Sequence, residues 1–237
     1  MKAIIPCAAL LVTVASAAYA GPTGLNTIPT TDIVPQNSWI ANLQNGNTGF
    51  GVPAFYSAPM LVKQTEFALN GRVEAGVDAS YDASRNAESF QFNIKDTLQN
   101  ENEFRPNAAM GIMNIGNHLI PSYYITLSKT LNYDQQQRER YKAHHRRNRK
   151  LLGRRVHAGM MLNFRGALTP FVGADLQMSD SAVFQTDWIS GAGNALTAGV
   201  AYVLPDQKTV LNPALLFSND KHRLDGFFLN ISRQFSF

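Results

Sequence analysis

The sequence has a single cysteine, Cys7, among its 237 residues. Cys7 lies in the first 20 residues, which we expect to be removed, so the mature chain has no thiol for a disulfide, a thiolate metal ligand or a cysteine nucleophile. Charged residues make up only 16% of the chain. Beyond the first 20 residues no apolar run approaches the roughly 18 to 20 residues that a membrane-spanning helix needs. The sequence therefore excludes a disulfide scaffold and a helical membrane protein.

The first 20 residues, MKAIIPCAALLVTVASAAYA, have the pattern of a secretory signal peptide. Lys2 precedes an apolar run that extends to about Ser16, and Ala18-Tyr19-Ala20 forms an A-x-A cleavage site. A lipoprotein attachment site at Cys7 is disfavoured, because too short an apolar run precedes it. The pattern predicts a signal peptide over residues 1–20.

The rest of the chain contains many segments in which apolar and polar residues alternate. In RVEAGVDASY, residues 72–81, every second residue from Val73 to Tyr81 is apolar. Similar segments cover 89–98, 123–131, 155–164, 169–178 and 196–204, and further candidates lie near 37–45, 64–71, 105–115, 182–190, 208–218 and 224–237. A period of two is typical of strands whose two faces meet different surroundings. The count predicts about twelve strands.

Each segment has about the 9 to 11 residues with which a tilted strand crosses a bilayer, and an even number of strands closes without an unpaired edge. We therefore predict an all-β, transmembrane antiparallel β-barrel over residues 37–237. An N-terminal periplasmic segment, residues 21–36, precedes it, and the sequence does not decide whether this segment plugs the lumen. A secreted β-sandwich or lipocalin-like barrel is the soluble alternative, and it would turn the apolar face inward.

Glycines on the polar face favour the membrane barrel over the soluble alternative. Gly76, Gly159, Gly173 and Gly199 suit a crowded, curved inner wall better than a solvated exterior. Aromatic residues near strand ends, such as Trp39 and Trp188, suit the interfacial girdles of a membrane barrel. The polar face is then a lumen, lined by Arg72, Glu74, Asp78, Gln91, Asn93, Lys95, Arg155, His157, Asp175, Gln177 and Asp187.

The last residues, LDGFFLNISRQFSF, alternate up to a terminal phenylalanine. The ending resembles the C-terminal signal by which the barrel-assembly machinery recognises Gram-negative outer-membrane proteins. Four residues carry the resemblance: Leu229, Ile231, Phe235 and Phe237. Arg233 departs from it, since an apolar residue is more usual there. The resemblance implies a place in the bacterial outer membrane, with outer-membrane lipid, lipopolysaccharide and the assembly machinery as partners.

A second resemblance lies in GPTGLNTIPTTDIVPQNSW, residues 21–39. This stretch is similar to the opening of the YjbH-like outer-membrane proteins associated with exopolysaccharide, in which a Gly-Pro-Thr-Gly-Leu segment and a Pro-Thr pair precede the first strand. The resemblance implies a barrel linked to polysaccharide secretion. The large additional domains of longer relatives are absent from this sequence, which weakens the transfer of that role.

Residues 134–155, DQQQRERYKAHHRRNRKLLGRR, concentrate the positive charge of the chain, with nine Lys and Arg residues against Asp134 and Glu139. Export disfavours nucleic acid as the partner of such a stretch. It is either a solvated connection or an anion-binding loop for lipid headgroups, lipopolysaccharide or an anionic polysaccharide. The candidate anion-binding residues are Arg138, Arg140, Lys142, Arg146, Arg147, Arg149, Lys150 and Arg154.

The sequence carries no enzymatic or cofactor motif that we recognise. It has no Gly-x-Ser-x-Gly, His157 lies on the luminal face, and Glu74 and Asp78 share a strand with Arg72. The His144-His145 pair has no further ligand at a suitable spacing for a metal. We expect a non-enzymatic barrel without metal or cofactor. It is either a narrow channel for small polar solutes or an accessory of glycan export, or else a non-conducting interaction barrel.

Overall fold

The computed structural model describes residues 24–47, 60–82, 87–116, 121–131, 154–191, 194–220 and 224–237. Its strands are β1 (Ser38–Asn47), β2 (Met60–Ala68), β3 (Val73–Asp82), β4 (Ala87–Gln99), β5 (Asn107–Ile115), β6 (Ser122–Leu131), β7 (Arg154–Asn163), β8 (Leu168–Gln177), β9 (Ala182–Ile189), β10 (Ala195–Val203), β11 (Thr209–Ser218) and β12 (Leu224–Ser236). The predicted signal peptide and most of the basic stretch, residues 134–153, lie outside the described residues. Within the described ranges, no helix is long and apolar enough to span a membrane.

The sheet closes on itself through the first and last strands. Every strand pairs antiparallel with its sequence neighbours, and β1 also pairs with β12, from Ser38 opposite Ser236 to Asn47 opposite Phe227. The backbone nitrogen of Phe237 donates a hydrogen bond of 3.1 Å to the carbonyl oxygen of Asn37 at the seam. The prediction of an all-β antiparallel barrel of about twelve strands is confirmed.

The observed strands differ most from the predicted segments at β2. The sequence predicts a strand near 64–71, whereas β2 runs from Met60 to Ala68. The Asn70 side chain explains the earlier end, because its Oδ1 accepts hydrogen bonds from the backbone nitrogens of Arg72 (2.7 Å) and Val73 (2.8 Å). An asparagine that binds the backbone two and three residues on favours a turn over a continued strand.

The two faces of the wall differ in polarity as a membrane barrel requires. Outward side chains are largely apolar and exposed, for example Phe92 (52%), Val172 (48%) and Leu215 (45%). Inward side chains are mostly polar and buried. Since the closed sheet also pairs its backbone groups, this exterior is the surface of a barrel that spans a membrane.

Aromatic side chains cluster at opposite ends of the barrel. Trp39, near the start of β1, stacks on Phe235 with ring centroids 4.2 Å apart. Tyr123, near the start of β6, stacks on Phe164 at 5.1 Å. We call the end that holds Ser38 and the C-terminus the terminal end. Because β1 and β6 run in opposite directions, the two aromatic pairs mark the two rims of the barrel.

Arg233, which departs from the usual C-terminal pattern, lies beside polar groups at the terminal end. Its Nη1 is 3.7 Å from Oδ2 of Asp206 in the turn between β10 and β11, and its guanidinium lies 5.8 Å from the centre of the Phe235 ring. Hydrogen bonds from the Thr209 hydroxyl and from the backbone nitrogens of Lys208 and Thr209 lower the pKa of Asp206 to about 2, and Arg233 adds to this. Arg233 therefore has a carboxylate partner at the rim instead of facing hydrocarbon.

Candidate functional site

The inner wall carries most of the polar residues that the sequence assigns to the lumen. Nine of them are buried: Glu74, Asp78, Gln91, Asn93, Lys95, Arg155, His157, Asp175 and Asp187. Gln177 is half-buried at the end of β8, where its Nε2 lies 3.4 Å from the carbonyl oxygen of Ser179. Alternation along each strand places these side chains on one face of the sheet. Closure of the sheet makes that face the interior of the barrel.

Arg72 does not lie in the lumen. It precedes β3, its side chain is 64% exposed, and it contacts Asp96 at 3.4 Å and the carbonyl oxygen of Thr97 at 3.1 Å. The period-two pattern places Arg72 on the face of Glu74. However, the strand begins only at Val73, so the alternation does not govern the residue before it.

Residues 24–36, which we call the inner segment, lie inside the barrel. They contact inward side chains of β3, β4, β6, β7, β9, β10 and β11. The sequence leads us to expect residues 21–36 in the periplasm. The described part of that range instead lies within the lumen, because its backbone and side chains form hydrogen bonds with the polar wall.

The inner segment turns back on itself at residues 24–29. Gly24 and Pro29 form an antiparallel bridge, and the backbone nitrogen of Leu25 donates to the carbonyl oxygen of Ile28 at 3.1 Å. At the turn, Thr27 donates to Asp187 twice, from its backbone nitrogen (2.8 Å) and from its hydroxyl (2.7 Å). We call residues 24–29 the tip of the inner segment.

A small apolar cluster also anchors the tip. Leu25 and Ile28 pack against Phe171 and Ile189 of the wall, and all four side chains are buried. The wall residue beneath them is Gly173, where an added Cβ would lie 2.7 Å from terminal methyl groups of both Leu25 and Ile28. Gly173 therefore provides the space that the tip occupies.

After the tip, the inner segment contacts a row of hydrogen-bonded polar side chains on the adjacent strands β6, β7 and β8. The backbone nitrogen of Thr31 donates to the Ser128 hydroxyl at 3.4 Å. Ser128 Oγ lies 2.7 Å from Nδ1 of His157, and Nε2 of His157 lies 3.1 Å from Oδ2 of Asp175. An imidazole with its proton on Nε2 satisfies every contact in this row, since Ser128 then donates to Nδ1 and His157 donates to Asp175.

Ser128, His157 and Asp175 have the composition of a hydrolytic triad, but their surroundings do not suit a nucleophile. Ser128 is 1% exposed and lies beneath Thr31, which already donates a hydrogen bond to its oxygen. Such a nucleophile needs access to substrate and oxyanion donors beside it. The arrangement therefore supports the inner segment, and the absence of enzymatic activity stays a prediction.

The principal ionic contact of the inner segment is made by Asp32. Its carboxylate accepts two hydrogen bonds from Arg155, Nη1 to Oδ2 at 2.9 Å and Nη2 to Oδ1 at 3.1 Å. Its carbonyl oxygen accepts a hydrogen bond from Nζ of Lys95. Lys95 also lies 3.2 Å from Oε1 of Glu74, and the second oxygen of that carboxylate accepts from the backbone nitrogen of Val34 at 2.8 Å. A paired, bidentate arrangement is the form in which buried charges are stable.

Several residues of this site are not among the lumen residues that the sequence predicts. Glu66, Ser128 and Thr197 are buried on the inner face, and Thr27 and Asp32 come from the inner segment. The alternation of β2, β6 and β10 could have identified the first three. The concentration of Thr and Asp between residues 27 and 32 is the only sequence signal for the last two, since this segment has no period that predicts its position.

The other predicted sites are only partly within the described residues. Arg154 is exposed at the start of β7, and the remaining candidate anion-binding residues and His144-His145 lie outside the described ranges. In the assembly signal, Leu229, Ile231 and Phe235 are half-buried in β12 and Phe237 is 82% exposed. Across the described ranges, no three His, Cys, Asp or Glu side chains are grouped to hold a metal ion.

Among solved structures, the chain is similar to the KdgM porin, with a TM-score of 0.52 and 9% identity over 84% of this chain and 99% of that chain. It also resembles the Acinetobacter baumannii outer membrane protein Omp33, with a TM-score of 0.47 and 8% identity over 85% and 99% of the two chains. No protein-family model and no curated protein match the sequence. The likeness to the KdgM porin shows that the chain has the fold of an outer-membrane porin-type barrel.

Proposed function

We propose that this protein is an outer-membrane channel for small polar solutes that rests in a closed state, with the inner segment as its gate. The observation that carries the proposal is the polar attachment of the inner segment to a polar wall. Wall residues such as Asp187, Ser128 and Arg155 hold it through hydrogen bonds and an ion pair. If the segment leaves, water can replace these contacts and the exposed wall is hydrated.

The burial of wall side chains supports a closed resting state. Lys95 and Asp78 are 0% exposed and Glu74 is 1% exposed while the inner segment is in place. Water therefore does not reach these side chains in this state. Conduction requires displacement of the inner segment, as in other channels and lids that open by moving one segment.

Two substitutions test this gate in the full mature chain. Gly173→Ala introduces a methyl group where Leu25 and Ile28 now lie, 2.7 Å from their terminal carbons. The nearest wall atom, Cβ of Asp187, lies 3.1 Å from the added Cβ, so the substitution should displace the tip more than the wall. The matched control is Gly76→Ala, another luminal glycine, where the added Cβ has ordinary contacts of 3.6 Å or more.

Asp32→Asn weakens the ionic contact with Arg155 but keeps the size of the side chain. We expect it to weaken attachment of the segment by about 1 to 3 kcal/mol, or roughly 5- to 150-fold in the ratio of closed to open states. Its control is Glu88→Gln, which removes an exposed carboxylate from β4.

The measurement is single-channel conductance in planar lipid bilayers, with heat-modifiable mobility on gels as the check that each variant is folded. Gly173→Ala and Asp32→Asn should raise the fraction of time spent open, and the two controls should match the wild type. A folded wild type and folded variants that all fail to conduct would show that the gate proposal is wrong.

A non-conducting interaction barrel is the second candidate, and the filled lumen favours it. On that view the inner segment is a permanent part of the core, and Gly173→Ala lowers stability without opening a pore. The same conductance experiment separates the two candidates. A role in exopolysaccharide export is a further proposal that depends on the resemblance of residues 21–39, and of the strand order over 67–78 and 90–116, to that family.

A further inference from the structure

We infer that the open lumen prefers cations to anions, an inference that rests on the proposed channel function and adds the class of solute. The observation is an excess of acid on the inner wall. Among the strand residues whose side chains the structure describes, five carboxylates face inward: Glu66, Glu74, Asp78, Asp175 and Asp187. Among the described strand residues, only two inward side chains carry a permanent positive charge, Lys95 and Arg155.

The two wall cations lie next to wall carboxylates. Nζ of Lys95 is 3.2 Å from Glu74, and Nη1 of Arg155 is 3.8 Å from Asp175. Each cation is therefore balanced by a neighbour on the adjacent strand, and these pairs do not depend on the inner segment. Five carboxylates against two cations leave the described inner wall with three more negative than positive groups.

Asp187 shows how opening changes the charge that a solute meets. Hydrogen bonds from the backbone nitrogen and hydroxyl of Thr27, and one of 2.5 Å from the Thr197 hydroxyl, now hold its carboxylate. A backbone hydrogen bond from Ile28 adds to them. The Thr27 and Ile28 donors belong to the inner segment, and the Thr197 donor belongs to the wall. When that segment leaves, the Asp187 carboxylate keeps the hydrogen bond from Thr197. Its other acceptor positions are then open to water and cations in the lumen.

Departure of the inner segment affects the positive side chains less. Arg155 loses Asp32 but keeps Asp175, and Lys95 loses a carbonyl oxygen but keeps Glu74. An open lumen therefore presents excess carboxylate and no exposed surplus of positive charge. A narrow passage with low-dielectric walls focuses such a field and raises the local concentration of counter-ions.

Asp78 is the second wall carboxylate to which we assign the cation preference. It is 0% exposed, and its Oδ2 accepts a hydrogen bond from the Asn93 side chain on the adjacent strand. Asp78 and Asp187 lie on β3 and β9, so they supply negative charge from different parts of the wall.

The test is the reversal potential of the full mature chain in a planar bilayer that separates two concentrations of KCl. The measurements are made in the Asp32→Asn variant, because we expect its channel to stay open for longer. We expect a potassium-to-chloride permeability ratio on the order of 10 at low salt, falling as salt rises. In Asp78→Asn with Asp187→Asn the ratio should fall severalfold towards 1, whereas Glu88→Gln, on the exposed outer side of β4, should leave it unchanged.

The outcomes separate this inference from the proposed function. A conducting channel that prefers chloride, or that does not discriminate, overturns the inference and leaves the channel proposal intact. A cation preference that the double substitution does not reduce overturns the assignment to Asp78 and Asp187. If neither the wild type nor folded Asp32→Asn conducts, both proposals fail. Folding of the double variant is checked by heat-modifiable mobility.

Discussion

At the scale of single residues, glycines determine how closely parts of the inner wall approach one another. Gly159 lies against the Phe171 ring and the carbonyl oxygen of Ile125, closer than any side chain allows. Gly111 lies in the same way against the carbonyl oxygen of Ile94 and the hydroxyl of Tyr124. Because these neighbours include backbone, which cannot move aside alone, the two glycines are required for strand pairing.

We therefore expect Gly159→Ala to destabilise the folded barrel by about 1 to 3 kcal/mol, the usual cost of overpacking. Gly76→Ala should remain within about 0.5 kcal/mol of the wild type, because the nearest atoms to its added Cβ are 3.6 Å away. The measurement is urea-induced unfolding in detergent, followed by tryptophan fluorescence. Equal stability of the two variants would contradict the close approach at Gly159.

The role of the luminal glycines was partly predictable from the sequence. Their place on the polar faces of strands indicates a crowded interior, as at Gly159. What occupies the space beside Gly173 was not predictable, because Leu25 and Ile28 are far from it in sequence and have no periodic pattern. Sequence alternation fixes the face of a residue but gives no information about a partner that arrives from a different segment.

At the scale of the strands, register brings Ser128, His157 and Asp175 together. Ser128 pairs with His157 across β6 and β7, and Arg155 pairs with Asp175 across β7 and β8. The alternation within each strand predicted that His157 and Asp175 face inward. The contact between them could not be predicted, since a shift of two residues keeps every face and changes every neighbour.

The outward face of β8 provides a test of membrane depth. Val172 lies near the middle of the strand and is 48% exposed, and Leu176 lies near its end and is 40% exposed. Val172→Arg should cost about 2 to 4 kcal/mol and Leu176→Arg about 0 to 1 kcal/mol, because the cost of a charge depends on its depth in lipid. The two are compared by unfolding in lipid vesicles. Equal costs would show that this face does not cross hydrocarbon.

At the scale of the whole molecule, positive and negative charge occupy different parts of the chain. Carboxylates are in excess on the inner wall, and Lys and Arg are concentrated in residues 134–155. The two regions meet at Arg154 and Arg155, where the exposed Arg154 is followed by the buried Arg155. The composition of the basic stretch predicts either a solvated connection or an anion-binding loop, and anion binding stays a prediction.

If the basic stretch binds phosphate-bearing lipid, the affinity should come from many contacts of about 1 kcal/mol each. Binding to vesicles that contain anionic lipid should then fall steeply as salt approaches physiological strength, where the Debye length is about 8 Å. Neutralising Arg146, Arg147, Arg149 and Lys150 together should abolish binding and leave the barrel folded. Binding that is insensitive to salt would argue for a shaped pocket instead.

The seam between β1 and β12 has a consequence for how the protein is assembled. Ser38 pairs with Ser236, so closure joins the first and last strands, and Thr27, eleven positions before Ser38, lies beside Asp187 in the closed barrel. Contacts between residues so distant in sequence form slowly, because the entropy of closing a long chain opposes them. An open sheet can receive the inner segment from the side, whereas a closed barrel admits it only through one of its rims, the route that the proposed gate would use. We therefore expect the barrel to mature faster when the inner segment takes its place before β1 and β12 pair.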